Sequence, residues 1–173
     1  MEYTIENVYV DSERLLRQAY GYVLRKRQIL LTVTSVILGV LFAFAGVVLE
    51  KTICLLAAAV YVVLAVWYWL LPYRVAKKAY KSMLKIHDGD IPPTTVRFGE
   101  KIFFDAGTST SEMAYNKLKS VSLRNDCILI RNEVGGVYLI ANDGFTKGTK
   151  QELLAFLKEK CPQLKLPDWQ WQR

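Results

Sequence analysis

The chain has 173 residues, 52% of them apolar, and a net charge of +7. This length allows one or two domains, and so high an apolar fraction excludes a disordered chain. The charge is uneven. Eleven Lys or Arg against five Asp or Glu precede Asp88, whereas from Asp88 onward there are twelve against eleven. A nucleic-acid partner needs a basic face on a folded domain, and the nearly neutral second half argues against one. The excess accompanies the apolar runs, where basic residues mark the cytoplasmic flanks of membrane helices.

Residues 1–28 read as an N-terminal strand and a cytoplasmic helix. "EYTIENVYV" is short and rich in β-favouring residues, suited to adding a strand to a sheet built by the C-terminal half. "DSERLLRQAYGYVLRKRQ" follows, with Asp11 or Ser12 as N-cap and Leu15, Leu16, Ala19, Tyr20, Val23 and Leu24 at helical spacing. This helix is expected to run on into an apolar one.

Between Arg27 and Glu50 stand 22 uncharged residues, and between Lys51 and Arg74 another 22. At a helical rise of ~1.5 Å per residue either run reaches ~33 Å, enough for a hydrocarbon core of ~30 Å. The sequence therefore predicts a transmembrane helix over 29–49, an outer turn at 50–51 and a second transmembrane helix over 52–73. A cleaved signal peptide fits poorly, because the first run begins late and lacks a small-residue cleavage pattern. Arg25, Lys26 and Arg27 before the first run and Arg74, Lys77, Lys78, Lys81 and Lys85 after the second place both termini in the cytoplasm by the positive-inside rule. The expected location is the cell (inner) membrane, with two passes. Trp67, Tyr68, Trp69 and Tyr73 gather at the cytoplasmic end of the second run, either at the headgroup level or against the first helix. Ser35, Gly39 and Ala43 recur every fourth residue, a ridge for close helix packing that serves either the second helix or a homodimer. Apart from the Cys54 thiol neither run holds an ionisable group, which argues against a transporter or channel.

Over 74–87 a basic juxtamembrane helix is expected. Arg74, Lys77, Lys78, Lys81 and Lys85 fall on one side, with Val75, Ala79, Met83 and Ile86 on the other. The basic stripe suits anionic lipid, and it equally suits the ordinary cytoplasmic flank of a membrane helix.

"HDGDIPP" ends the helix. Short strand-like segments follow in "TTVRF", "KIFFDA", "TSTSEMAY", "KSVSLR", "CILIRN" and "VYLIA", spaced as in an antiparallel meander. Thr149 and Glu152 form a capping box for a last helix whose apolar stripe is Leu153, Leu154, Phe156, Leu157 and Cys161, stopped by Pro162. Strands first and one helix last is the order of a pleckstrin-homology-like (PH-like) barrel, here over 91–162, and 163–173 form an aromatic tail with Trp169 and Trp171. The fold class is thus an α+β membrane protein: a two-helix transmembrane hairpin plus a cytoplasmic PH-like antiparallel β barrel or sandwich closed by a C-terminal helix.

The hairpin followed by "TTVRFGEKIFF", "MAYNKLKSVSLRNDCILI" and "VYLIANDGF" before a short helix resembles the YcxB-like membrane proteins of bacteria, over about Tyr22 to Cys161. The resemblance implies a PH-like cytoplasmic domain and carries no catalytic residue with it. Tyr115 stands where members tend to have tryptophan and Asn142 where they tend to have lysine, which weakens the case for a basic ligand pocket at that corner.

The residues spell out little chemistry. His87 is the one histidine and ends a helix, and no GxGxxG, P-loop or HExxH occurs. Cys54, Cys127 and Cys161 form no CxxC pair and read as small buried hydrophobes. Lys147 to Lys150 start the last helix, either as a plain capping loop or as backbone donors for a phosphate. No catalytic residue, metal ligand or cofactor is assigned. The expected function is a membrane-anchored, non-enzymatic binding or regulatory module whose domain recognises a protein or lipid headgroup and folds from about Ile91 onward. The alternative is a small subunit of a larger membrane complex, for transport or envelope homeostasis, acting through its hairpin.

Overall fold

A computed structural model describes residues 3–107 and 109–164. The aromatic tail with Trp169 and Trp171 lies outside them. The architecture is α+β, in the order β1 (Ile5–Tyr9), α1 (Glu13–Val48), α2 (Thr52–Trp69), α3 (Leu71–Ile86), β2 (Thr94–Phe98), β3 (Ile102–Asp105), β4 (Thr110–Met113), β5 (Leu118–Leu123), β6 (Cys127–Asn132), β7 (Val137–Ala141), β8 (Phe145–Lys147) and α4 (Lys150–Lys160). Two compact units result, one joining the residues before Tyr20 to those after Lys78, the other spanning Tyr20–Lys78.

In the first unit, β1 is an interior strand. The sheet order is β4-β3-β2-β1-β8, all antiparallel, and the register pairs Ile5 with Phe98 and Tyr9 with Thr94. Tyr9 and Thr94 are thus opposite one another, and residues 10–93 leave and re-enter the unit between two neighbouring strands. The sheet unit thus includes residues before Tyr20, and a piece beginning at Ile91 lacks the strand between β2 and β8. Alternation in "IENVY" explains the placement: Ile5 and Asn7 point inward while Glu6 and Val8 are half-buried.

A second sheet has the order β5-β6-β7. The two sheets do not close into a barrel. A 3-10 turn at Tyr115–Lys117 separates β4 from β5, and β7 has no backbone ladder with β8 or β1. A side chain spans that gap instead. Fully buried Asn7 donates from Nδ2 to the Ala141 carbonyl at 2.8 Å and accepts from the Ala141 N–H at 3.2 Å, so its amide stands in for a strand backbone. Both sheets and α4 share one core, including Val96, Phe98, Ile102, Ile128, Ile140, Leu153 and Leu157. The other face of β6 is covered as well, since Cys127 and Leu129 are fully buried beside their partners Ala141 and Leu139.

The helix ends follow from local chemistry. Ser12 caps α1, accepting from the Leu15 N–H at 3.3 Å. The Thr149 and Glu152 capping box is complete. The Thr149 N–H donates to Glu152 Oε2 at 2.9 Å, so the carboxylate occupies the place considered for a phosphate. "GFTK" adds the short strand β8, which pairs with β1 at Asn7 and Glu6.

In the second unit, α1 and α2 are long and apolar enough to cross a membrane by length and composition, with mean hydropathies of 2.4 and 2.1 over their most apolar windows. Leu49 to Lys51 turn the chain, with Glu50 in the left-handed region at φ 53°. The expected second span of 52–73 divides at Leu70. Pro72 has no N–H to give to the Tyr68 carbonyl, so α2 ends at Trp69 and α3 starts at Leu71.

Replacing Asn7 with Ala leaves the Ala141 N–H buried and unpaired and its carbonyl with only the 3.3 Å bond from the Gly144 N–H, at a cost of about 1–3 kcal/mol in all. Denaturant unfolding of the Asn7→Ala protein in mild detergent should show a loss of that size, and a change below about 1 kcal/mol would refute the clamp.

Candidate functional site

Two surfaces gather polar side chains. The first is the basic end of the helical unit. Arg25, Lys26 and Arg27 are all exposed on α1, and Arg74, Lys77 and Lys78 on α3; Lys81 and Lys85, also exposed on α3, fall in the sheet unit. Gln28 Nε2 donates to the Trp69 carbonyl at 3.0 Å, which brings the basic turn of α1 level with the end of α2. The Arg74 guanidinium lies 3.5 Å from the centre of the Trp67 ring, and Lys77 Nζ lies 5.9 Å from that of Tyr73, both within cation–π range. Opposite the stripe, Val75, Ala79 and Met83 are half-buried, whereas Ile86 is exposed.

The small-residue positions lie on the same unit. Ser35 is buried and donates to the Leu31 carbonyl at 2.8 Å, Gly39 is buried and Ala43 half-buried. A Cβ on Gly39 would stand 3.4 Å from Tyr61 Cβ, and one on Gly46 only 2.7 Å from Leu55 Cδ2. Gly39 and Gly46 therefore let α1 and α2 approach, and Phe42 stacks on Tyr61 with ring centres 5.5 Å apart. Gly46 was not singled out from the sequence. Its spacing of seven from Gly39, two helical turns, was the available signal.

The second surface is a cleft of about 470 Å³ where the end of β1 and the start of α1 face the β5–β6 and β7–β8 turns. Its polar lining is Tyr9, Ser12, Arg14, Asn125, Asp126, Asn142 and Asp143. Arg14 donates from Nε at 2.8 Å and also from Nη2 to the Asp126 carboxylate, which additionally accepts from Gln18 Nε2. Asn142 Nδ2 donates to the Asn125 carbonyl at 2.8 Å, while its Oδ1 is buried with no hydrogen-bond partner. With Arg14 neutralised by Asp126, the cleft offers acceptors and no free cation of its own lining. It is polar and leans acidic. Tyr115 serves the fold, donating to the Gly99 carbonyl at 3.0 Å and meeting Phe156 edge-on.

Burial governs the ionisable groups nearby. It raises Asp11 above the usual carboxylate range and pushes the Cys127 thiol up to about 11, with Asp126 adding to the effect on Cys127. A thiol held that high is a poor nucleophile at neutral pH. Glu6 moves the other way, lowered chiefly by its bond from Arg97 at 2.7 Å. Among the described residues no group of three or more His, Cys, Asp or Glu is placed to hold a metal ion.

No family model, curated protein or solved structure matches the chain.

Asp11 gives a pH test. Because its folded value is raised, its ionisation opposes folding: the stability it contributes is full below the unfolded value and is lost as pH rises through the folded one. Asp11→Asn should therefore raise the Tm at pH 7, and the gain should vanish below about pH 4. Equal Tm values for the two proteins at both pH values would contradict this.

Proposed function

We propose that the protein is an integral membrane protein, a membrane-anchored and non-enzymatic binding or regulatory module of the YcxB-like kind, with a PH-like cytoplasmic domain that recognises a protein or a lipid headgroup. One observation carries the membrane reading. Some twenty large apolar side chains between Ile29 and Leu70 are exposed, among them Leu30, Phe44, Val47 and Ile53 at 66–74%. Only one face of each helix is used in the hairpin. Leaving a Leu, Val, Ile or Phe in water rather than burying it costs about 1.5–3 kcal/mol each, and a bilayer removes that cost at once. The positions of the charges support the orientation. Glu50 and Lys51 lie at one end of the hairpin and the arginines and lysines at the other, so both termini are cytoplasmic and the turn is outside.

The module reading is favoured over a subunit acting through its hairpin, because Gly39 and Gly46, the positions where another helix could come close, are already taken up by α2. The part left for recognition is the sheet unit and the basic helix that leads to it.

The orientation is tested with a single engineered thiol in a background where Cys54 is Ala. Glu50→Cys should react with a membrane-impermeant maleimide on intact cells, and Lys119→Cys should react only after the cells are opened. Extraction of the protein into the soluble fraction by alkaline carbonate, or the reverse labelling pattern, would refute the reading.

A further inference from the structure

Between Tyr20 and Lys78 there are seven cations and a single acid, Glu50. Six of the cations, Arg25, Lys26, Arg27, Arg74, Lys77 and Lys78, sit at the end away from the turn, where the Gln28–Trp69 bond ties α1 to the last residue of α2, two residues before α3 begins. From Gln28 to Glu50 the helix rises ~33 Å, several times the ~8–10 Å over which exposed charges act at physiological salt. The basic group is therefore uncompensated within its unit. Two of its members lie over aromatic rings, Arg74 over Trp67 and Lys77 over Tyr73.

We propose that these six residues form a collar that binds anionic phospholipid headgroups of the cytoplasmic leaflet, in preference to zwitterionic ones. This rests on the reading of the hairpin as membrane-embedded and names the partner of its basic end. Two features choose the occupant. Six clustered cations call for phosphate-bearing groups with net negative charge. Exposed Ile29, Leu30 and Leu70 continue directly from the collar, so the occupant must be apolar immediately beyond its charged group. A phospholipid satisfies both requirements, whereas a nucleic acid or free phosphate satisfies the first alone. Arg25, Lys26 and Arg27 are consecutive and so fan around α1 at about 100° each, which makes the site a shell of headgroups rather than a pocket for one. Lys81 and Lys85 continue the stripe along α3.

The full chain with Trp169→Phe and Trp171→Phe leaves Trp67 and Trp69 as the only tryptophans. It is reconstituted into phosphatidylcholine vesicles containing equal mole fractions of either brominated phosphatidylglycerol or brominated phosphatidylcholine, and the quenching of tryptophan fluorescence is compared. The anionic lipid should quench more strongly, with a preference that shrinks in high salt. Changing all six cations to Gln should bring the two lipids to equality, each cation contributing up to about fivefold. Equal quenching by both lipids in the unsubstituted collar overturns the proposal while leaving the membrane reading intact. No quenching by either lipid overturns the membrane reading, and the collar with it.

Discussion

The structure depends on where β1 goes. Ile5–Tyr9 lies between β2 and β8, and Tyr9 faces Thr94 across the ladder, so a stretch of more than eighty residues is carried as the loop of what is locally a β-hairpin. Antiparallel neighbours share an end of the sheet. Whatever leaves after Tyr9 must come back to nearly the same place before Thr94. A pair of helices that goes out and returns satisfies this, and a single crossing does not. The register thus requires only that the segment between Tyr9 and Thr94 start and finish at one end of this ladder. Asn7 completes the arrangement. Its amide bonds Ala141 where β7 has no strand neighbour, and Gly144, whose carbonyl accepts from the Val8 N–H at 2.7 Å, is the one residue type that fits there, since a Cβ would stand 2.6 Å from the Val8 carbonyl oxygen.

Much of this was legible in the sequence, and the divisions fall where physics would put them. Local signals held well. "TTVRF", "CILIRN" and "VYLIA" coincide with β2, β6 and β7, Ser12 caps α1, and the capping box at Thr149 is present. These depend on alternation and on side chains a few residues apart. What depends on distant residues was not legible. Asn7 meets Ala141 across 134 positions, and Arg14 and Gln18 meet Asp126 across more than a hundred. An Asn on the inward face of an alternating strand was the only hint, and it does not name its partner. Barrel closure was overestimated for the same reason: strand order is readable from spacing, but whether the first and last strands pair is not.

Electrostatics separates the two surfaces. In the cleft, opposite charges are already matched, Arg14 against Asp126. At the end of the helical unit no acid of that unit lies near the cations. Desolvating a charge is costly unless a counter-ion is supplied, so the unmatched group is the one that gains most from an anionic surface. The glycine-mediated contact between α1 and α2 keeps the collar's two halves together, because the same packing that admits Tyr61 and Leu55 also aligns Gln28 with Trp69.

The central claim is that β1 is an integral strand of the sheet unit rather than a tail laid upon it. The direct measurement is the amide NMR spectrum and urea unfolding of two soluble chains, one with residues 3–19 joined by a flexible linker to 79–164, the other 79–164 alone. The account predicts a dispersed spectrum and cooperative unfolding for the first, and collapse or aggregation for the second. Equally dispersed spectra and equal stabilities for both would contradict it.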